Sequence, residues 1–179
     1  MDMDKIIDIL ETHTISYSFS DKGLKYLSLR NNKGEHTIDL RSFKIDKEND
    51  PIGSLIIEET IKFLQTGSHN MKLDLSSFTE FQQKVFQVVS IIPVKSIYTY
   101  KEVGISMGNP HAAQAVGNAV SKNPVSYFLP THRVLSQKGI PICKSGAGHI
   151  REKLLIHEGH NIEKIRGNYP CKAKKCHEE

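Results

Sequence analysis

The sequence predicts an α+β fold in two small domains, and three features carry that reading. Alternating apolar and polar runs fill the first part of the chain, capped helical patterns follow from residue 76, and a Gly-Asn-Pro turn separates two short helices. With 179 residues the chain has room for one ordinary domain or two small ones. The boundaries read as 1–75 for an N-terminal α/β domain, 76–160 for a mostly helical domain and 161–179 for a basic tail.

The N-terminal elements follow in order. Thr14 to Phe19 alternates apolar and polar, Asp21-Lys22-Gly23 turns the chain, and Leu24 to Leu29 alternates again. Asn31-Asn32-Lys33-Gly34 makes the next turn before His36 to Leu40, which completes a three-strand meander. Ile56, Ile57, Ile61 and Leu64 recur at helical spacing over 52–65, and Gly67 marks the stop. Ser68 to Ser77 reads as a linker.

In the second domain, Ser77 and Glu80 form a capping-box pattern for a helix running to Ile92, where Pro93 ends it. Its apolar side is Phe78, Phe81, Val85, Val88 and Val89, a stripe that core packing explains. Thr99 with Glu102 is a second capping box, opening a short helix that ends at Gly108. Asn109 then reads as an N-cap with Pro110 at the first helical position, opening a third helix through Val120. Together the two helices read as a helix-turn-helix. The third helix carries Ala112, Ala113, Ala115, Gly117 and Ala119. Small residues there serve either tight packing on another helix or close approach to a DNA backbone, and spacing leaves both open.

Composition narrows the function classes. A hydrophobic fraction of 38% and a charged fraction of 25% are those of a soluble globular protein. No apolar run approaches the roughly 20 residues that span a bilayer, so no membrane partner is expected. The acidic start Met1-Asp2-Met3-Asp4 lacks the basic region of a secretory signal, which points to the cytoplasm or nucleus. Cys143, Cys171 and Cys176 are too few, and odd in number, for a disulfide framework. Cys171, Cys176 and His177 have no convincing fourth ligand nearby, so neither a metal nor a cofactor is expected. A net charge of +4 is compatible with nucleic acid without by itself indicating it.

From Phe81 to Gly159 the chain resembles the O6-alkylguanine-DNA alkyltransferases. The matching residues are Thr99-Tyr100, Gly108-Asn109-Pro110, Ala112-Ala113, Ala115-Val116-Gly117, Asn123-Pro124-Val125, Pro130, His132-Arg133-Val134, Ser145-Gly146, Leu154-Leu155 and His157-Glu158-Gly159. The resemblance implies an RNase H-like sheet in the N-terminal domain and a winged helix-turn-helix in the C-terminal one. It also implies a DNA-repair function on double-stranded DNA. In that family a recognition helix enters the minor groove, an alkylated guanine is flipped into a pocket, and a cysteine takes the alkyl group irreversibly. Base flipping costs a few kcal/mol, least for a damaged pair. Carried over by position, Tyr100 matches the tyrosine that crowds the phosphate, Asn123 the asparagine that braces the active-site turn, and His132 and Glu158 the proton-relay pair. Ser145 matches a serine in the loop over the base, and Ala113, Gly117 and Lys122 fall on or beside the recognition helix. Arg133 is expected as a structural salt-bridge former rather than a DNA contact.

Three residues depart from the family pattern. Thr131 stands where the acceptor cysteine belongs, Gln114 where an arginine finger fills the vacated stack, and Cys143-Lys144 where a loop pair ends in tyrosine. Thr131 is decisive. A thiol with a pKa of about 8.5 can be brought to its nucleophilic thiolate by a neighbouring base. Hydroxyl nucleophiles succeed at acyl centres, where an oxyanion is stabilised, and an alkyl carbon offers none. The expectation is therefore a pseudoenzyme, close in logic to the alkyltransferase-like proteins, which recognise O6-alkylguanine and pass it to other repair proteins. Those proteins carry tryptophan or alanine at the acceptor position and keep the arginine, unlike Thr131 and Gln114 here. Two rivals stand beside it. One is an active transferase, through Cys143 or as a threonine-substituted form of an active parent. The other is an interaction protein that keeps the fold and has left DNA, against which Lys122, Lys138, Lys144, Lys153, Lys172, Lys174 and Lys175 count mildly.

Overall fold

The computed structural model describes residues 3–10, 12–29, 34–142 and 149–170. It divides into two compact units, one of Met1–Ser77 with Pro124–Phe128 and one of Phe78–Asn123 with Leu129–Glu179. The fold is α+β, with small sheets in both units.

The first unit opens on a helix that the sequence reading did not anticipate, α1 (Met3–Leu10), which buries Ile6, Ile9 and Leu10. Strands β1 (Thr14–Ser20), β2 (Gly23–Ser28) and β3 (His36–Asp39) form an antiparallel sheet in the order β2-β1-β3, which is not the β1-β2-β3 order of the expected meander: β3 pairs with β1 instead of β2, so β1 is the central strand. Alternation assigns Ser16 and Ser18 of β1 to solvent, yet both are buried. Their hydroxyls accept the backbone N–H groups of Gly34 (2.7 Å) and Glu35 (3.0 Å), which satisfies both sides. Helix α2 (Pro51–Thr66) has Asp50 as N-cap, its carboxylate accepting from Gly53 N at 2.9 Å, and ends at Gly67 in the left-handed conformation.

Residues 68–77 are not a linker. Leu73 bridges Leu24 in parallel, with Leu24 N donating to Lys72 O and Asp74 N donating to Leu24 O, both at 2.8 Å. Met71 is buried, and the Asp74 carboxylate accepts from the Ser20 and Ser76 hydroxyls at 2.6 Å each. Those bonds hold the Asp74 carboxyl well below the usual carboxylate range. The polar letters that suggested a loop are here partners of the sheet edge.

Segment Pro124–Phe128 belongs to this unit through specific bonds. Leu27 N donates to Pro124 O (2.8 Å), and the buried Tyr127 hydroxyl meets Thr60 Oγ1 at 2.7 Å. His69 Nδ1 accepts from Met71 N (3.0 Å), so Nε2 carries the ring proton and donates to Phe128 O (2.7 Å). Burial lowers the His69 pKa, in keeping with a neutral ring.

The second unit begins with α3 (Glu80–Ser90). Its cap is Thr79 with Gln82, not Ser77 with Glu80: Thr79 Oγ1 accepts from Gln82 N (3.3 Å) and Gln82 Oε1 accepts from Thr79 N (3.0 Å). Two capping patterns overlap in the sequence, and Glu80 serves instead as a first-turn acid on the helix dipole. The buried face is Val85, Phe86 and Val89; Phe86, absent from the expected stripe, meets Phe78 edge-on at 5.2 Å. The helix stops at Ser90 rather than Ile92, because the residue before Pro93 is biased out of helical backbone.

Strand β4 (Tyr98–Thr99) leads directly into α4 (Tyr100–Ser106), and α5 (Ala113–Val120) follows. The Thr99–Glu102 capping box is present as expected, with Glu102 Oε2 accepting from Thr99 N at 2.6 Å. The expected start of the third helix at Asn109-Pro110 is not. Gly108 takes φ +75°, Asn109 N donates to Gly104 O (2.8 Å), and Ala112 N donates to Asn109 O (3.1 Å). Asn109 and Pro110 thus spend their backbone on the inter-helix turn, and Ala112 caps α5 with no side-chain bond.

Strand β5 (Val134–Leu135) pairs in parallel with β4, and β6 (Ile140–Ile142) pairs in parallel with β7 (Arg166–Pro170). Helices α6 (His149–His157) and α7 (Ile162–Ile165) lie between β6 and β7 in sequence. Residues 162–170, expected within a basic tail, are therefore folded. Ile162 joins Leu135, Ile140 and Leu155 in a buried cluster.

Candidate functional site

Residue 131 is presented by a tight turn. Pro130 sits at φ −74°, ψ 57°, the inverse γ-turn geometry, and Thr131 N donates back to Leu129 O at 2.6 Å. A single 3-10 turn, Thr131–Arg133, then delivers the chain into β5. Because β5 pairs with β4 through Tyr98↔Val134 and Thr99↔Leu135, the turn is tied by one short ladder to the strand that starts α4.

Asn123 braces this turn. Its Nδ2 donates to Leu129 O and to Thr131 Oγ1, each at 3.1 Å. The Leu129 carbonyl is an acceptor only, so it fixes which end of the carboxamide faces the turn. Thr131 Oγ1 consequently accepts from Asn123. Thr131 itself is partly covered rather than buried.

Behind Thr131, three charged or titratable side chains are buried together. His132 is 4% exposed, Arg133 1% and Glu158 8%. Arg133 Nε and Nη2 donate to Glu158 Oε1 at 3.0 and 2.7 Å, and Nη1 donates to Ile92 O at 2.7 Å. His132 Nε2 meets the same carboxylate oxygen at 2.8 Å. Burial alone would raise the Glu158 pKa, but the bonds from His132 and Arg133 prevail and hold it to about 2. Burial also lowers the His132 pKa, against the pull of Glu158, with Arg133 and Arg151 acting in the same direction as burial. A neutral ring beside an ionised carboxylate donates from Nε2, which makes Nδ1 the basic nitrogen of His132. The expectation that Arg133 is structural holds: it is a two-pronged clamp on Glu158, out of contact with solvent.

Helix α5 separates cleanly into faces. Val116, Ala119 and Val120 are buried, while Gln114, Ala115 and Asn118 are exposed, with Ser121 and Lys122 continuing the exposed stripe past its end. Ala113 and Gly117 are half-buried. A Cβ placed on Gly117 would lie 3.5 Å from the Tyr100 ring, an ordinary contact, so Tyr100 packs over this glycine without requiring it. Ala115 and Asn118 were missed as members of the exposed face. The signal was present, since Gln114, Asn118 and Lys122 recur every four residues. Cys143, Lys144 and Ser145 lie outside the described residues, as do Cys171, Cys176 and His177. Among the described residues no cluster of His, Cys, Asp and Glu could hold a metal ion, and no helix is long and apolar enough to cross a membrane.

Comparison with known proteins follows the same outline. Residues 80–160 match the family described as 6-O-methylguanine DNA methyltransferase, DNA binding domain. The methylated-DNA–protein-cysteine methyltransferase of Methanosarcina barkeri is 30% identical over 163 residues, 87% of this chain and 98% of that protein. The Homo sapiens protein of the same name is 34% identical over 96 residues, 54% of this chain and 45% of its own, so the match spans about half of that relative's length. Among solved structures, the Mycobacterium tuberculosis OGT in complex with DNA superposes with a TM-score of 0.57 at 27% identity, covering 80% of this chain and 85% of that one.

Proposed function

The chain belongs to the methylated-DNA–protein-cysteine methyltransferase family, and on that premise we propose that it binds duplex DNA without transferring an alkyl group to residue 131. What supports the proposal is the hydroxyl side chain of Thr131 at the position where the family resemblance puts the acceptor cysteine. Asn123 braces Thr131, and His132, Glu158 and Arg133 stand behind it. The exposed face of α5, with Gln114, Ala115 and Asn118 and with Lys122 just past its end, enters the minor groove. Tyr100 crowds the phosphate, and Gly117 and Ala113 keep the helix backbone close to the strand. Ser145 and Lys144 act at the base, and recognised DNA is handed to other repair proteins.

The chemistry at residue 131 follows from its atoms. Alkyl transfer breaks the alkyl C–O6 bond and forms a bond to the attacking atom, which must first lose its proton. A thiol near pKa 8.5 can do so beside a histidine. An aliphatic hydroxyl ionises far higher, and the buried His132 is a weaker base than an ordinary histidine. Gel shifts on duplexes with and without O6-methylguanine, over a range of salt, test the binding. Affinity that falls with salt is expected, and no binding at low salt would refute the proposal. Incubation with labelled O6-methylguanine duplex tests the chemistry. The chain remains unlabelled, while Thr131→Cys takes up label toward one equivalent because its supporting residues are intact; label on Thr131 would overturn this reading.

A further inference from the structure

We propose that the Thr131 hydroxyl is a reading group, donating a hydrogen bond to O6-adducts of guanine that carry an acceptor oxygen and so favouring them over purely aliphatic adducts. This rests on the reading that the chain meets a base at residue 131. The geometry of Asn123 supplies the direction of the bond. Its Nδ2 is committed toward Leu129 O and Thr131 Oγ1, so the threonine oxygen is an acceptor from Asn123 and its own hydrogen must point elsewhere. Among the described residues that hydrogen has no acceptor, and Thr131 is only partly covered. The backbone on either side leaves the side chain little choice of position. The inverse γ-turn at Pro130 and the 3-10 turn that follows hold its Cα, and Asn123 Nδ2 bonds its hydroxyl oxygen at 3.1 Å.

A preorganised donor at the point where the family's nucleophile meets the alkyl carbon discriminates by what the adduct offers. An O6-methyl group presents only C–H surface and leaves the O–H unsatisfied on binding, which costs affinity. An O6-carboxymethyl group presents a carboxylate oxygen, and a hydrogen bond to a charged acceptor is among the stronger kinds. The chemical class selected is therefore the oxygen-bearing O6-adduct, with carboxymethyl as the representative.

Three duplexes of one sequence serve as probes, carrying guanine, O6-methylguanine or O6-carboxymethylguanine, titrated against the full chain and against Thr131→Val and Thr131→Ser. The wild type is expected to bind the carboxymethyl duplex about ten-fold more tightly than the methyl duplex. That ratio falls to near one in Thr131→Val, which keeps the shape and loses the donor, and persists in Thr131→Ser, which keeps the donor. A wild-type ratio of one, or a ratio unchanged in Thr131→Val, overturns this inference while leaving DNA binding standing on the unmodified duplex. Loss of both substitutions' effects because wild type binds none of the three duplexes overturns the DNA-binding reading itself. Thermal melting of both variants verifies that they are folded, and the serine variant carries the test if the valine variant is not.

Discussion

The buried cluster behind residue 131 and the exposed face of α5 both lie in the second unit, and they differ in how far their side chains depend on one another. In the cluster, His132 and Arg133 both bond the Glu158 carboxylate, and Arg133 also donates to Ile92 O. On the helix face, Gln114 is exposed, at the position where the family resemblance leads one to expect arginine. The contrast has a physical source. A buried carboxylate with its arginine cannot lose one member without stranding the other, whether or not any reaction depends on it. An exposed side chain has no such obligation. The presence of His132, Arg133 and Glu158 is therefore weak testimony to catalysis, because folding alone accounts for it. Residues 114 and 131 are partly or fully open to solvent and answer to function.

Breaking the buried cluster gives the largest expected effect. Glu158→Gln leaves the Arg133 guanidinium buried without a counter-charge and should destabilise the fold by about 3–5 kcal/mol, read by urea denaturation at neutral pH. A change below about 1 kcal/mol would mean that the cluster is not a folding element, and the contrast with α5 would collapse. Acid should act on the same region. Glu158, held to about 2 when folded, contributes stability above its ordinary unfolded pKa of about 4.3 that is lost as pH falls through about 2. His132 is depressed when folded, so below about pH 6.5 the unfolded chain takes up a proton that the folded chain resists. Both terms destabilise on acidification. The urea midpoint should fall from pH 6.5 downward, and Glu158→Gln should flatten the lower part of that profile.

The helix face responds in binding rather than in folding. Gln114→Arg introduces a cation and should tighten duplex binding about ten-fold at moderate salt, with a steeper salt dependence and stability changed by less than about 0.5 kcal/mol. An unchanged affinity would indicate that α5 does not meet DNA. Gly117→Ala separates the two roles of the small residue most finely. Its Cβ would reach Tyr100 at ordinary contact distance, so helix propensity should stabilise the fold by about 0.5–1 kcal/mol. If the backbone at Gly117 approaches a DNA strand, the same change weakens binding in a gel shift; unchanged binding assigns the glycine to neither role.

Legibility in the sequence tracked distance along the chain. The Thr99–Glu102 capping box and the stop at Gly67 depend on residues within one turn, and both formed as read; the meander did not, because the choice of β1 over β2 as the partner of β3 is made between strands and not within a turn. Where two local patterns overlapped, as at Ser77–Glu80 and Thr79–Gln82, the letters were degenerate and the structure chose the second. Asn109-Pro110 has the chemistry of a helix start, but the turn between α4 and α5 claims its backbone. Residues 68–77 look like a linker until Leu24 and Ser20, some fifty positions earlier, appear beside them.

For the candidate site, the sequence by itself determined the atom at position 131. That atom is a hydroxyl oxygen, a statement about covalent chemistry that is independent of any fold. Tertiary structure decided what surrounds that atom. It brought Glu158 to His132 and Arg133 across 26 and 25 residues, turned Arg133 inward as a clamp, set Gly117 under Tyr100 and aimed Asn123 so that Thr131 accepts. Such pairings need loops to close and polar groups to find partners away from water, and no local pattern encodes which of several distant residues will supply them.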